Sequence, residues 1–278
     1  MLNIRIVEKA IVESTDLYTI SENEYAGRLD VSEDRVVIVT GSATGLGAEL
    51  IRSFAAKGFC VAINYFLDGE ADALCQEVVD TYGQDKVMKY QADVADRAAV
   101  NAMYGKIIEK FGRVDILINC AGINRDAPFT EITDESWDSV ISAHLKGHFV
   151  CGQEFVFHNS DREGVIINLG AAAGSTGRKN GANFCAAKAG VIVLTKCMAL
   201  ELAPRIRVNC LVPGSVRTRE VIERYNLETE DGLAKELATL PMGRLGEFED
   251  ITNMVHCMVD AKFTTGAKFY VNGGQYMH

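Results

Sequence analysis

From Arg35 onward, short runs of aliphatic and β-branched residues alternate with longer stretches whose apolar positions recur every three or four residues. The short runs are VVIVT (36–40), CVAINY (60–65), KVMKYQA (86–92), VDILIN (114–119), GVIINL (164–169), IRVNCLV (206–212) and KFYVN (268–272). The spacing predicts helices over 45–57, 70–82, 96–111, 134–158, 182–202 and 248–259. Strands that are apolar on both faces, separated by helices, imply a parallel sheet covered on both sides. The expectation is one doubly wound α/β domain over 34–278 with a seven-stranded parallel sheet. In such sheets ligands bind beyond the carboxyl ends of the strands, so chemistry is sought there.

The first residues break this pattern. Leu2, Ile4 and Ile6 alternate with polar residues and suggest a short strand, and 14–34 is polar and acidic. Residues 1–33 therefore read as an arm, for which a subunit contact is the expectation. The arm mixes charges into its apolar residues and is no signal peptide, and no apolar run reaches the length of a membrane span. Among 278 residues, 28 Lys and Arg against 38 Asp and Glu leave a net charge of −10. Such a surface repels phosphate backbones, so neither nucleic acid nor an anionic membrane is an expected partner. The eight cysteines form no C-x-x-C pair and lie mostly in apolar runs. They read as buried thiols of a cytoplasmic protein.

The first strand runs into Gly41-Ser-Ala-Thr44-Gly45-Leu46-Gly47 and then a helix. Glycines admit positive φ and a close approach of backbone to pyrophosphate, and the helix N-terminus offers free N–H groups to phosphate. Further segments sit at strand ends: Asp93-Val94, Asn119-Cys-Ala121-Gly122, Pro213-Gly214 with Val216, Pro241-Met-Gly-Arg-Leu-Gly246 and Val271-Asn-Gly-Gly274. With the G-x-x-x-G-x-G loop, these resemble the short-chain dehydrogenase/reductase family, in particular its bacterial β-ketoacyl-acyl-carrier-protein reductases, over roughly 34–277. The resemblance implies a Rossmann-like domain that binds NAD(P)(H), a small-molecule or acyl-carrier-bound substrate, and a homodimer or homotetramer. It places Gly41, Thr44, Gly45, Leu46, Gly47, Asn64, Tyr65, Asp93, Val94, Asn119, Ala121, Gly122, Lys188, Pro213, Gly214 and Val216 around the cofactor.

Members that take NAD usually end the second strand with an acid for the ribose hydroxyl. Tyr65 stands there, followed by Phe66, and Thr44 fills the loop position where NADP-binding members often carry a base. With the acid missing, a 2′-phosphate meets no repulsion, so NADP is expected over NAD, with Asn64 and Thr44 as candidate hydrogen-bond partners.

The catalytic half departs from the family pattern. Its Y-x-x-x-K sequence is here Phe184-Cys-Ala-Ala-Lys188. Its serine, thirteen residues earlier, is Ala171, and its W-x-x-x-x-x-x-N-L-K-G becomes Trp137 through His144-Leu-Lys-Gly147. No tyrosine lies between Tyr104 and Tyr225, so shifting the alignment does not restore one. Phenylalanine has no proton to give and alanine no hydrogen bond. Losing a general acid costs about 10²–10⁴ in rate. Lys188 and His144 remain as candidate catalytic groups, His144 because an imidazole with its usual pKa near 6.5 suits proton transfer. A histidine bonded to a backbone carbonyl is the plainer alternative.

Other side chains invite weaker readings. His144 and His148 are spaced like a metal pair but lack a third ligand, so no metal is expected. Cys185 reads as a packed thiol and Ser175 and Thr176 as loop polarity. Arg217, Arg219 and Arg224, in the region that the resemblance makes a substrate lid, suit either an anionic group or a solvated helix pair. Three functions stay open: a divergent oxidoreductase with an atypical active site, a non-catalytic dinucleotide-binding subunit of a hetero-oligomer with an active homologue, and a non-redox cyclase or dehydratase.

Overall fold

The computed structural model describes residues 35–67 and 69–277. The expected N-terminal strand and arm lie outside them. In chain order the elements are β1 (Val36–Val39), α1 (Gly45–Ala56), β2 (Cys60–Tyr65), α2 (Asp72–Tyr82), β3 (Val87–Gln91), α3 (Arg97–Phe111) and β4 (Ile116–Asn119). Then follow α4 (Asp134–Ile141), α5 (Gly147–His158), β5 (Gly164–Leu169), α6 (Ala173–Thr176), α7 (Ala182–Leu202), β6 (Ile206–Pro213), α8 (Arg219–Tyr225), α9 (Glu230–Leu237), α10 (Phe248–Asp260) and β7 (Lys268–Val271).

The strands form one sheet in the order β3-β2-β1-β4-β5-β6-β7, and every neighbouring pair is parallel. Every residue of β1, β4 and β5 is buried. That explains their unbroken apolar runs, because helices cover both faces. Odd and even positions of one strand feed opposite faces: Val37 and Val39 pack under α1 and α10, Val36 and Ile38 under α3 and α5. Chain order reverses between β1 and β4, and the loops after these two strands flank the resulting crevice.

The helix expected over 134–158 is interrupted. Ser142–Lys146 winds as a π-turn between α4 and α5 and carries His144. Such turns displace side chains from the regular helical path. In the lid, the expected amphipathic helix pair is α8 and α9, each capped by a threonine, Thr218 accepting from Val221 N and Thr229 from Gly232 N. No helix among the described residues is long and apolar enough to cross a membrane.

Candidate functional site

The loop after β1 has the shape that its glycines suggest. Gly41 and Gly45 have φ of +59° and +56°, which L side chains rarely adopt. A Cβ on Gly41 would lie 2.7 Å from Ala121 Cα, and one on Gly47 2.6 Å from Gly41 O. The loop is thus pressed against the end of β4 while Gly45 faces open space. Thr44 is the exposed N-cap residue of α1, and its hydroxyl caps nothing. The first N–H groups of that helix therefore point outward without a side-chain partner. Leu46 anchors the turn by packing on the core.

Beneath the loop, Thr40 Oγ1 accepts from Cys120 N (3.0 Å) and Ala121 N (3.1 Å) and holds the Asn119–Gly122 segment beside it. Asn119 is buried, donates to Asn168 Oδ1 (2.9 Å), and Asn168 donates to Thr195 Oγ1 (3.0 Å). That chain locks β4, β5 and α7 together. Asp93 is exposed at the end of β3 and turns the chain by accepting from Ala95 N, while Val94 is buried against Gly147. Pro213-Gly214 closes β6, where a Cβ on Gly214 would strike Asn272 Cα at 2.6 Å. Val216 is buried and bridges to Gly246.

Asn64 does not take the place expected of it. Its side chain is buried, accepts from Gly41 N (3.0 Å) and donates to Ala92 O (3.0 Å). It splices the glycine loop to the ends of β2 and β3 and has no free face for a ribose phosphate. Tyr65, next along, is half-exposed at the rim. The cradle of turned glycines, open helix N-terminus and exposed Thr44 fits the phosphates of a dinucleotide.

On the other side, Lys188, Phe184 and His144 come together, and Ala171 opens the turn into α6, its carbonyl accepting from Gly174 N. Lys188 is buried, and its Nζ donates to Leu169 O at 2.6 Å. Burial lowers its pKa to about 8, because an ammonium in an apolar setting loses hydration. Its Nζ lies 5.8 Å from the centroid of the Phe184 ring. The Phe184 ring meets the His144 ring edge-on at 5.2 Å.

His144 differs from its expectation as an acid. Burial, then the nearby Lys188 charge, pull its pKa down to about 3, against a smaller opposing effect of the Ile123 carbonyl. The imidazole is neutral at pH 7. Nε2 donates to Ile123 O (2.9 Å), and Nδ1 is buried without a hydrogen-bond partner. His148 is fully enclosed, its pKa held well below normal by burial first and Lys188 second, with backbone contacts to Leu169 and Asn119. The two histidines thus pack at strand ends. Burial raises the Cys185 thiol pKa, so it stays protonated. Thr176 Oγ1 bonds back to Ala172 O, and Ser175 is exposed.

A Cβ on Gly122 would fall inside the His144 ring. Gly122→Ala is therefore expected to destabilise the fold by about 1–3 kcal/mol, and His144→Ala in the same chain to restore most of it. A double-mutant cycle in thermal melts measures this coupling. Independent, additive losses would show that ring and glycine do not press on each other.

Of the three lid arginines, Arg219 is turned to solvent against Glu223 and Arg217 pairs with Glu247. Arg224 alone turns inward, to Asp126 (3.2 Å) and Glu220 (2.6 Å). Two further site residues escaped the sequence reading. Arg178 lies with its guanidinium carbon 4.5 Å over the Phe184 ring centroid, and its Nη2 donates to both oxygens of Asp126 (2.7 and 2.9 Å). No spacing rule links positions 126, 178 and 224. The Gly177-Arg178 turn was the available signal, a base placed between the helix after β5 and the lysine helix.

A parallel sheet of this order, with a glycine loop at its reversal and a buried lysine one helix beyond, defines a dinucleotide-binding α/β enzyme scaffold. The short chain dehydrogenase family model matches residues 35–228, and the chain belongs to that family. It is 37% identical to the 3-oxoacyl-acyl-carrier-protein reductase FabG of Staphylococcus aureus, over 86% of this chain and 97% of the relative. It is 34% identical to the hydroxy(phenyl)methylsuccinyl-CoA dehydrogenase subunit BbsD of Thauera aromatica, over 87% and 97%. Among solved structures, a gluconate 5-dehydrogenase of Burkholderia cenocepacia in complex with NADP and tartrate superposes with a TM-score of 0.80 at 28% identity, over 87% and 94%.

Proposed function

We propose that the protein is an NAD(P)(H)-dependent oxidoreductase that interconverts a carbonyl and a hydroxyl group with an atypical proton donor. The observation that carries this reading is the retained cofactor half: the glycine cradle at Gly41–Gly47 and the buried ammonium of Lys188 beside it. When bound, the cofactor supplies or accepts the hydride at the substrate carbon. Gly45, Leu46, Gly47 and Thr44 would hold its phosphates, Asp93 and Val94 its adenine, Asn119–Gly122 the middle of the groove, and Lys188 with Pro213, Gly214 and Val216 its nicotinamide end.

Three of the usual proton-handling groups are replaced by Phe184, Ala171 and a neutral His144. Lys188 is then the group whose pKa, about 8, lies near neutrality. In this reading its ammonium donates the proton to the forming alkoxide and regains one from solvent. The reduction rate is expected to fall as pH rises through about 8, where Lys188 loses its charge. NADP is the cofactor we assign, because Tyr65 puts no carboxylate at the end of β2, Thr44 is free, and the Burkholderia relative holds NADP. A parallel fluorescence titration with NADPH and NADH is expected to give micromolar NADPH binding, at least about tenfold tighter than NADH. Failure of both to bind at millimolar concentration would remove the reading.

The stripped proton chemistry also favours a second reading, a non-catalytic subunit assembled with an active homologue. The Thauera relative is itself described as a subunit. On α5 and α7, Phe149, Phe157, Val193 and Leu200 are exposed, and apolar helix surface of this kind suits a dimer or tetramer. Purified chain that turns over a substrate alone, with a single-chain oligomer mass by light scattering, would exclude it.

A further inference from the structure

The geometry points to an anion subsite built by Arg178 and Arg224, which commits the substrate to a small oxo- or hydroxycarboxylate. This deepens the oxidoreductase reading and rests on it for the reacting end of the substrate. The site begins with Gly181. A Cβ there would lie 2.6 Å from Arg178 Nε and 3.2 Å from its Cζ. The missing side chain leaves room for the guanidinium beside Gly181, with its carbon 4.5 Å from the Phe184 ring centroid. Stacking on an aromatic face fixes the plane of the guanidinium and leaves its edge for planar anions.

One carboxylate already occupies part of that edge. Asp126 takes both hydrogen bonds of Arg178 Nη2 and also receives Arg224 from the lid helix α8. Among the described residues, Arg178 Nη1 has no partner. The side chains of Arg178, Arg224 and Asp126 are only 18, 20 and 28% exposed, so the pair of guanidiniums is partly desolvated, where charge-assisted bonds are strong. Three cations, Lys188, Arg178 and Arg224, converge here on two carboxylates, Asp126 and Glu220. A molecule of net charge −10 has thus placed a local positive excess at one mouth.

Asp126 stands in for the carboxylate of the substrate. An incoming carboxylate can take Nη1 and share or displace Asp126, with Arg224 following from the lid. Lys188 and Arg178 sit on the same Phe184 ring, 5.8 and 4.5 Å from its centroid. They can be no further apart than those two lengths end to end. A carbonyl near Lys188 and a carboxylate on Arg178 therefore belong to one short molecule.

The test measures binding and needs no turnover. Isothermal titration uses acetoacetate, 4-oxopentanoate and 2-oxoglutarate, each beside its methyl ester, on the full chain with and without NADPH. At least one acid is expected to bind at least about tenfold more tightly than its ester, a gap that Arg178→Ala abolishes. Asp126→Asn, which removes the internal competitor, is expected to tighten that acid. Equal binding of acids and esters, or acid binding that Arg178→Ala leaves intact, overturns the subsite. So does an Asp126→Asn chain that gains nothing, since Asp126 would then be a lid clamp only. Acid binding without any NADPH binding would keep the subsite and sink the oxidoreductase reading, whereas NADPH binding without acid preference would do the reverse.

Discussion

Replacing Phe184 by Tyr and Ala171 by Ser together is expected to raise kcat/KM for NADPH-driven reduction of a small oxocarboxylate such as acetoacetate by about 10²–10⁴. The ring at 184 has Lys188 Nζ 5.8 Å from its centroid and the Arg178 guanidinium carbon 4.5 Å over its face. Both cations would favour the phenolate and lower the pKa of the new hydroxyl. A serine at 171 would return a hydrogen-bond donor to the carbonyl, and donors aimed at developing charge are worth several kcal/mol in a dry site. The gain is expected mainly in kcat, because the new groups act on the transition state. The pH profile should change with it: the decline tied to Lys188 near pH 8 gives way to one set by the new tyrosine. An unchanged rate in a chain that binds NADPH would mean that the cleft does not present a carbonyl to position 184, and would favour the non-catalytic subunit.

Mild acid is the second large effect. His144 has a folded pKa of about 3, His256 of about 4, and His148 lies well below normal, in each case chiefly through burial. An unfolded histidine titrates near 6.5. Between that value and the folded pKa the unfolded chain binds more protons than the folded one, so stability is lost as pH falls through this window. At pH 5 each such histidine costs roughly 2 kcal/mol relative to pH 7. Together they are expected to lower Tm by at least about 10 °C between pH 7 and pH 5. His144→Gln removes one titration and should shallow the slope by about a third. His256 is a useful internal control, because it lies away from the cleft and pairs with Ser53 Oγ at 2.6 Å. A Tm that is flat over this range would show that these imidazoles gain protons inside the fold.

The two outcomes bear on different parts of the molecule. Recovery of rate by two substitutions would show that the cofactor half is aligned for hydride transfer. Loss of stability in acid concerns the histidines themselves and holds whether or not the protein is an enzyme.

Much was legible in the sequence because it was local. The central strands β1, β4 and β5 announced themselves by unbroken apolar runs, since a strand buried on both faces has no polar side to show. The glycine loop was readable because a positive φ at Gly41 and Gly45 and the close approach at Gly47 exclude most other side chains. The replacement of tyrosine and serine by Phe184 and Ala171 was readable through the family resemblance, which places those groups at set distances before Lys188. The π-turn around His144 was not readable, because its inserted residue leaves the apolar period of the flanking helices nearly intact. What Asn64 does was decided by the meeting of three strand ends, which turned a candidate phosphate ligand into a buried splice. The protonation of Lys188 was decided by enclosure, and that of His144 by enclosure and then by the Lys188 charge, both of which depend on neighbours far away in the chain. The same holds for Asp126, Arg178 and Arg224: sequence determined that each carries a charge, and only the meeting of two loops with the lid helix α8 decided that the charges share a site.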